Sequence, residues 1–312
     1  MSSYNKPANN QKALKKLLLI FMILLNVNVF GQSRVTYLAG LLDSTRKERS
    51  DSLRADLNGQ FYNELVSLIK EPGFVADSIK PLRIGQTASD DGYFIFYNWN
   101  IQQNDGQNFY YALLYFPGTK RTIEFPFKPS ETKLNEDSVY TNNDWPPSLY
   151  YKIISPRKKT DHYYLLFGWD RFSKQVSRKT IEALIIDNQG DVAFGKKVFK
   201  TKDGLKHRVV IEYASSANLT LQYNRQKLTL TGVRKSQSKI NDDIIVVDRL
   251  APLNEELKGL RWAYVPVGDV YDGYIYFHGY WTFVEGINAR NPAMKNEQKR
   301  KTEKPQLDLF PH

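Results

Sequence analysis

Three short segments bring together residue types that act on polar substrates: Trp169-Asp170-Arg171, Trp99-Asn100 and Asp248-Arg249, with Asp272 further along. An indole closing a strand can stack on a sugar ring while a neighbouring carboxylate and guanidinium hydrogen-bond its hydroxyls. Paired carboxylates about 5 to 9.5 Å apart would support glycoside hydrolysis. Spacing along a chain does not set that distance. The same tryptophans would serve equally as core-filling aromatics, with the charges as solvated strand ends. Trp99, Trp169, Asp170, Arg171, Asp248 and Asp272 are therefore binding candidates, and no catalytic residue is assigned.

The local signatures of other chemistries are missing. Four histidines, His162, His207, His278 and His312, have no H-x-x-x-H spacing to set two on one helix face. The absence of cysteine removes thiolate nucleophiles, disulfides and zinc–thiolate sites, so no metal and no cofactor is expected. The nucleophile elbow, the phosphate loop and the dinucleotide turn have no local pattern. Ser67-Leu68-Ile69-Lys70 has the S-x-x-K spacing of a serine–lysine nucleophile, but it falls on a helical stripe and no Lys-Thr-Gly follows. The turn Asp187 to Asp191 offers too few oxygens for an EF-type calcium loop and reads as a plain hairpin. The basic stretch Gly195 to Arg208 holds only Phe199 and His207 as rings, sparser than a single-strand binder uses, and no nucleic-acid partner is expected.

The elements that must position these residues follow from periodicity. Leu53, Leu57, Phe61, Leu65 and Leu68 recur at three and four, predicting one amphipathic helix between Asp43 and Lys70. Asp51 or Ser50 would cap it, Asn58-Gly59 weakens its middle and Pro72-Gly73 ends it. After residue 74 the period becomes two. The runs Tyr93 to Trp99 and Phe109 to Phe116, separated by Asn104-Asp105-Gly106, predict a hairpin. Further strands are expected at short intervals through Trp281 to Val284, including Leu219 to Tyr223, Lys227 to Thr231 and Arg261 to Val265. Turns are expected at Asp187 to Gly190, Asn224-Arg225-Gln226 and His278-Gly279. Asp91 to Asn100 aligns without gaps to Asp161 to Asp170, and Asp272 to Phe277 is a looser third copy. Apolar residues on both sides of the first two copies imply strands covered on both faces. The expectation is a mainly β fold, an antiparallel meander forming a two-sheet or propeller-like arrangement with one N-terminal amphipathic helix. Residues 32–73 form the helical segment and 74–291 the β-rich domain, with 117–147, rich in proline, as a loop or seam.

The two ends carry most of the basicity of a chain whose formal net charge is +11. Lys6, Lys12, Lys15 and Lys16 precede the apolar run Leu17 to Leu25, a positive region followed by a hydrophobic one. That run falls short of the ~20 apolar residues of a spanning helix. Residues 1–31 are expected to be a cleaved signal peptide, with an uncleaved anchor as the alternative, and either exports the remainder to the periplasm or the outer membrane. Residues 292–312 are expected to be a disordered basic tail able to touch anionic surfaces. No transmembrane helix is expected after signal cleavage.

The segments "YYLLFGWDR…RKTIEALIIDNQGDVAFGKKVF", "IIVVDRLAP" and "YDGYIYFHGYWTFVEGINARN" resemble a family of exported β-rich proteins of Gram-negative bacteria, over about residues 148–291. The resemblance implies an envelope-associated β domain and supplies no catalytic residue. At the C-terminus Gln306, Leu307, Leu309 and Phe310 match the peptide by which replication proteins dock on the sliding clamp. Export would separate that peptide from a cytoplasmic clamp, and docking onto the protein's own body is the more ordinary role. The leading expectation is a non-enzymatic envelope protein that binds a protein partner or glycan, or serves structurally. The alternatives are a carbohydrate-active hydrolase using Asp170 with Asp248 or Asp272, and a clamp-binding protein.

Overall fold

The computed structural model describes residues 33–158, 160–187, 189–229 and 239–287. The N-terminal apolar run and the tail peptide Gln306, Leu307, Leu309 and Phe310 lie outside the described residues. The single helix expected over Asp43 to Lys70 is two: α1 over 33–47 and α2 over Asp51–Ile69. The break falls where the Glu48 carboxylate accepts the Arg49 and Ser50 amides at 2.7 and 2.9 Å, and the Ser50 hydroxyl then caps α2 by accepting the Leu53 amide. A side chain that satisfies orphan amides here outcompetes continuation of the helix.

Three sheets follow. The first is β1 (Gly85–Ala88), β2 (Ile95–Gln102), β3 (Asn108–Phe116) and β4 (Arg121–Pro129), in that order. The second runs β5 (Tyr140–Thr141), β9 (Val192–Phe194), β8 (Val176–Ile186), β7 (Tyr164–Asp170), β6 (Leu149–Ile154), and β12 (Arg208–Ala214) shares with β9 one edge of the long β8. The third is ordered β11 (Gly204–Lys206), β10 (Phe199–Thr201), β16 (Tyr280–Ile287), β15 (Tyr264–Phe277), β14 (Lys239–Pro252), β13 (Leu221–Thr229). All described pairings are antiparallel except β10 with β16, which is parallel. The protein is mainly β, and among the described residues no sheet closes into a barrel.

Alternation along the strands stacks these parts into layers. Tyr97, Trp99, Leu113 and Tyr115 face the helices, in a core shared with Leu38, Phe61 and Leu65. Phe94, Phe96, Leu114 and Phe125 face the second sheet, meeting Tyr150, Leu166, Leu184 and Phe194. The far side of the second sheet, with Leu165, Phe167 and Ile181, meets Ile245, Tyr274 and Trp281 of the third. Both echoed segments thus form strands covered on both faces, and each enters its strand through a left-handed residue, Gly92 at φ 71° and His162 at φ 49°. The third copy departs, because Gly273 is not among the residues at positive φ. A Cβ there would lie 2.4 Å from the Ile245 carbonyl oxygen.

The hairpin at Asn104 to Gly106 forms, and His278-Gly279, at φ 49° and 87°, makes the tight turn between β15 and β16. Two local expectations are corrected. Asn224-Arg225-Gln226 is the middle of β13 rather than a turn, because it pairs with Asp242 to Ile244 of β14. The strand expected at Arg261 starts as a short 3-10 turn and becomes extended at Tyr264. The stretch 117–147 holds β4 and then a strap folded over the second sheet. Arg178 donates to the Thr132 carbonyl at 2.9 Å, and Arg208 donates to the Asn135 and Ser138 carbonyls. Both arginines are ion-paired in the interior, Arg178 to Asp170 at 3.0 Å and Arg208 to Glu182 at 2.7 Å. No described helix is long and apolar enough to cross a membrane.

Candidate functional site

The residues singled out for sugar chemistry do not converge. Trp99 is buried, 2% exposed, and donates its indole N–H to Asn58 Oδ1 at 2.9 Å. Trp169 is half-buried on the side facing the third sheet and donates to the Tyr213 hydroxyl at 3.1 Å. Asp170 points the other way, is fully buried, and both its oxygens accept from Arg178 Nε at 3.0 and 3.1 Å. Burial pushes its carboxyl up to about 7, against the pull of Arg178. The Arg171 amide binds the Tyr110 hydroxyl at 2.8 Å.

Asp248 and Asp272 do share a cavity of about 540 Å³ between β12 and the third sheet. Each is already engaged: Asp248 accepts the Thr220 amide at 2.7 Å, and Asp272 accepts Arg249 at 2.5 and 3.1 Å and the Gly286 amide at 2.9 Å. Glu136 lines the same cavity, and burial raises its carboxyl above the usual range while the Val210 amide, donating at 2.8 Å, opposes that rise. Asp170, on the opposite face of the second sheet, cannot act with either aspartate. Among the described residues no group of three or more acidic or histidine side chains is placed to hold a metal ion. Asp187 Oδ1 is spent on its own turn, accepting the Gln189 and Asp191 amides at 2.9 and 2.8 Å. Ser67 and Lys70 also have separate tasks, the first accepting from Arg34 and the second donating to Glu124 at 2.6 Å.

A second cavity, of about 510 Å³, runs between α2 and the edge of the first sheet. Ala55, Asn58, Gly59, Tyr62 and Asn63 line it from one face of the helix, and Phe109, Tyr111, Pro126 and Phe127 from β3 and β4. None of its lining residues is charged. The helix is braced on both sides of this gap. Arg54 donates to the Gln102 carbonyl at 2.8 Å, and Asp51 accepts the Asn104 amide at 3.0 Å. Further along, Tyr62 and Lys70 both donate to Glu124 of β4, at 3.0 and 2.6 Å. Between the braces stands Gly59, where a Cβ would meet nothing within 4 Å.

Trp99 belongs to this groove from behind. Its ring stacks on Tyr111 at 5.5 Å and 10°, and its N–H fixes Asn58, so it orients two lining residues. Phe127 lies next to Tyr111, ring centres 5.9 Å apart and planes tilted by 31°, and stays 59% exposed. Sequence reasoning named Trp99 as a site residue and Gly59 only as a weak point of the helix, and it did not single out Tyr111 or Phe127. The available signal was a glycine inside an apolar helical stripe, which costs helix stability unless the missing side chain leaves useful space.

The fold and site together define a layered antiparallel β protein with a helical hairpin on its first sheet and an uncharged aromatic groove beneath that hairpin. Comparison of the chain with family models, with curated proteins and with solved structures finds no match.

Proposed function

We propose that this is an exported, non-enzymatic binding protein of the bacterial envelope, which takes an uncharged ligand into the groove between α2 and the first sheet. The observation that carries the reading is Gly59. A glycine inside a helix lowers stability by about 1 kcal/mol relative to alanine, and here no neighbouring atom demands it. What the missing side chain leaves is open volume over an aromatic wall. Pockets of this size, mostly apolar with a few polar groups, are the usual form of a small-ligand site. The engagement of Asp170, Asp248 and Asp272 in ion pairs and amide contacts supports binding over hydrolysis. The basic, apolar N-terminus and the resemblance over residues 148–291 support export.

A neutral aromatic probe, N-phenyl-1-naphthylamine, tests the groove. Its fluorescence should rise on binding to the wild-type protein at one site per chain. Gly59→Leu should abolish that rise while holding or increasing resistance to denaturant. Undiminished probe binding in this variant would place the site elsewhere.

A further inference from the structure

We infer that the ligand of the groove is a neutral saccharide, one sugar ring lying on Tyr111 and Phe127 and its hydroxyls bonded by the Asn63 and Gln103 amides. The inference rests on the reading of the groove as a ligand site and adds the chemical class. Three features of the lining select that class.

The first is charge. In a chain of formal net charge +11, the groove is lined by no lysine, arginine, aspartate or glutamate. Tyr62 adds no charge, because burial and the neighbouring Glu124 raise its phenol well above the ordinary range and keep it neutral. A charged ligand would enter with no counter-charge to replace its lost hydration.

The second is shape. Trp99 fills one side of Tyr111 as a near-parallel stack, and Phe127 stands open to solvent beside it. Such a wall offers flat π surface whose negative potential favours the polarised C–H bonds on one face of a sugar ring. The braces at Arg54 and at Glu124 hold the helix side of the groove in place, so the wall is formed before a ligand arrives.

The third is hydrogen-bonding capacity. Asn58 is committed to Trp99 and to the Tyr111 hydroxyl. The side chains of Asn63 and Gln103 have no hydrogen-bond partner among the described residues, and they line the groove from opposite sides, one on α2 and one in the β2–β3 turn. An amide offers both donors and an acceptor, the complement of a sugar hydroxyl, which is also both. A purely aliphatic ligand would use the wall and leave both amides unanswered.

The experiment is displacement of N-phenyl-1-naphthylamine from the mature full-length protein by neutral oligosaccharides (cellohexaose, maltohexaose, and the N-acetylated chitohexaose), with the anionic hexamer of galacturonic acid as the charged comparison. The expected result is displacement by a neutral oligosaccharide and at least ten-fold weaker displacement by the anionic one. Phe127→Ala should weaken the saccharide at least ten-fold. Gln103→Leu, at a half-exposed turn position, should weaken the saccharide several-fold more than it weakens the probe. If the probe binds and no neutral oligosaccharide displaces it, or the anionic hexamer displaces it equally well, the saccharide assignment is overturned and the groove remains a site for another uncharged ligand. If neither probe nor oligosaccharide binds, both readings are overturned.

Discussion

Arg178 and Arg208 each place a guanidinium inside the second sheet, and their carboxylate partners alone do not account for their positions. Each also reaches the strap, so that residues 130–148 are tied down by guanidinium groups rather than by apolar contact alone. Removing one member of a buried pair strands the other, which costs about 3–5 kcal/mol. Arg178→Ala should therefore lower the unfolding free energy by about that amount in urea titration, whereas a conservative change at exposed Arg225 should not. Lys179 is the contrasting case. Its ammonium lies 4.2 Å from the centre of the Tyr151 ring with no carboxylate partner among the described residues, and burial lowers its pKa to about 8. An unfolded lysine titrates near ~10.4. Below pH 8 both states hold the proton and the burial penalty is complete, while between these two values the unfolded chain binds more protons and stability rises with pH. Lys179→Met should be more stable than the wild type at pH 7, and the difference should shrink as pH climbs from 8 towards 10.5. A constant difference across that range would remove Lys179 from the account.

At the scale of elements, two glycines with opposite surroundings make opposite predictions. Gly59 in α2 faces open space, so Gly59→Ala should stabilise by up to about 1 kcal/mol. Gly168 in β7 sits where a Cβ would lie 2.3 Å from Ser148 Oγ and 2.6 Å from Thr180 Oγ1, so Gly168→Ala should destabilise by about 1–3 kcal/mol through overpacking. Calorimetric melting of both variants checks the pair, and a shared sign would contradict it. Elements governed by local rules were legible in the sequence. The Asn-Asp-Gly and His-Gly turns announced their hairpins, and of the two cap candidates, Asp51 and Ser50, it is Ser50 that caps α2. Elements decided by a distant partner were not. Asn224 to Gln226 has the composition of a turn, yet β14 supplies pairing groups along its whole length and keeps it extended. The division at 48–50 depended on Glu48 turning its carboxylate back onto two amides, a choice that a hydrophobic stripe does not encode.

Across the whole molecule, the doubly covered strands of the echoed segments foretold a chain built in layers. The candidate site was legible only in part. Trp99 was recognised by type, but its place one layer behind Tyr111, and the opening over Gly59, arise from packing α2 against the first sheet. Asp170 and Asp248 look like partners in the chain, yet Asp170 is paired with Arg178 inside β7 and β8 of the second sheet while Asp248 belongs to β14 of the third. For the envelope assignment, N-terminal sequencing of protein recovered from cells should read from Gln32 in the periplasmic or membrane fraction, and an intact Met1 in the cytosol would contradict it. The position of the ligand can be read by an amide NMR titration with N-phenyl-1-naphthylamine. Shifts should concentrate at Gly59, Asn63, Gln103 and Phe127, with Glu212 and Asp248 unmoved. Shifts centred on Asp248 and Asp272, or none at Gly59, would contradict binding in the groove.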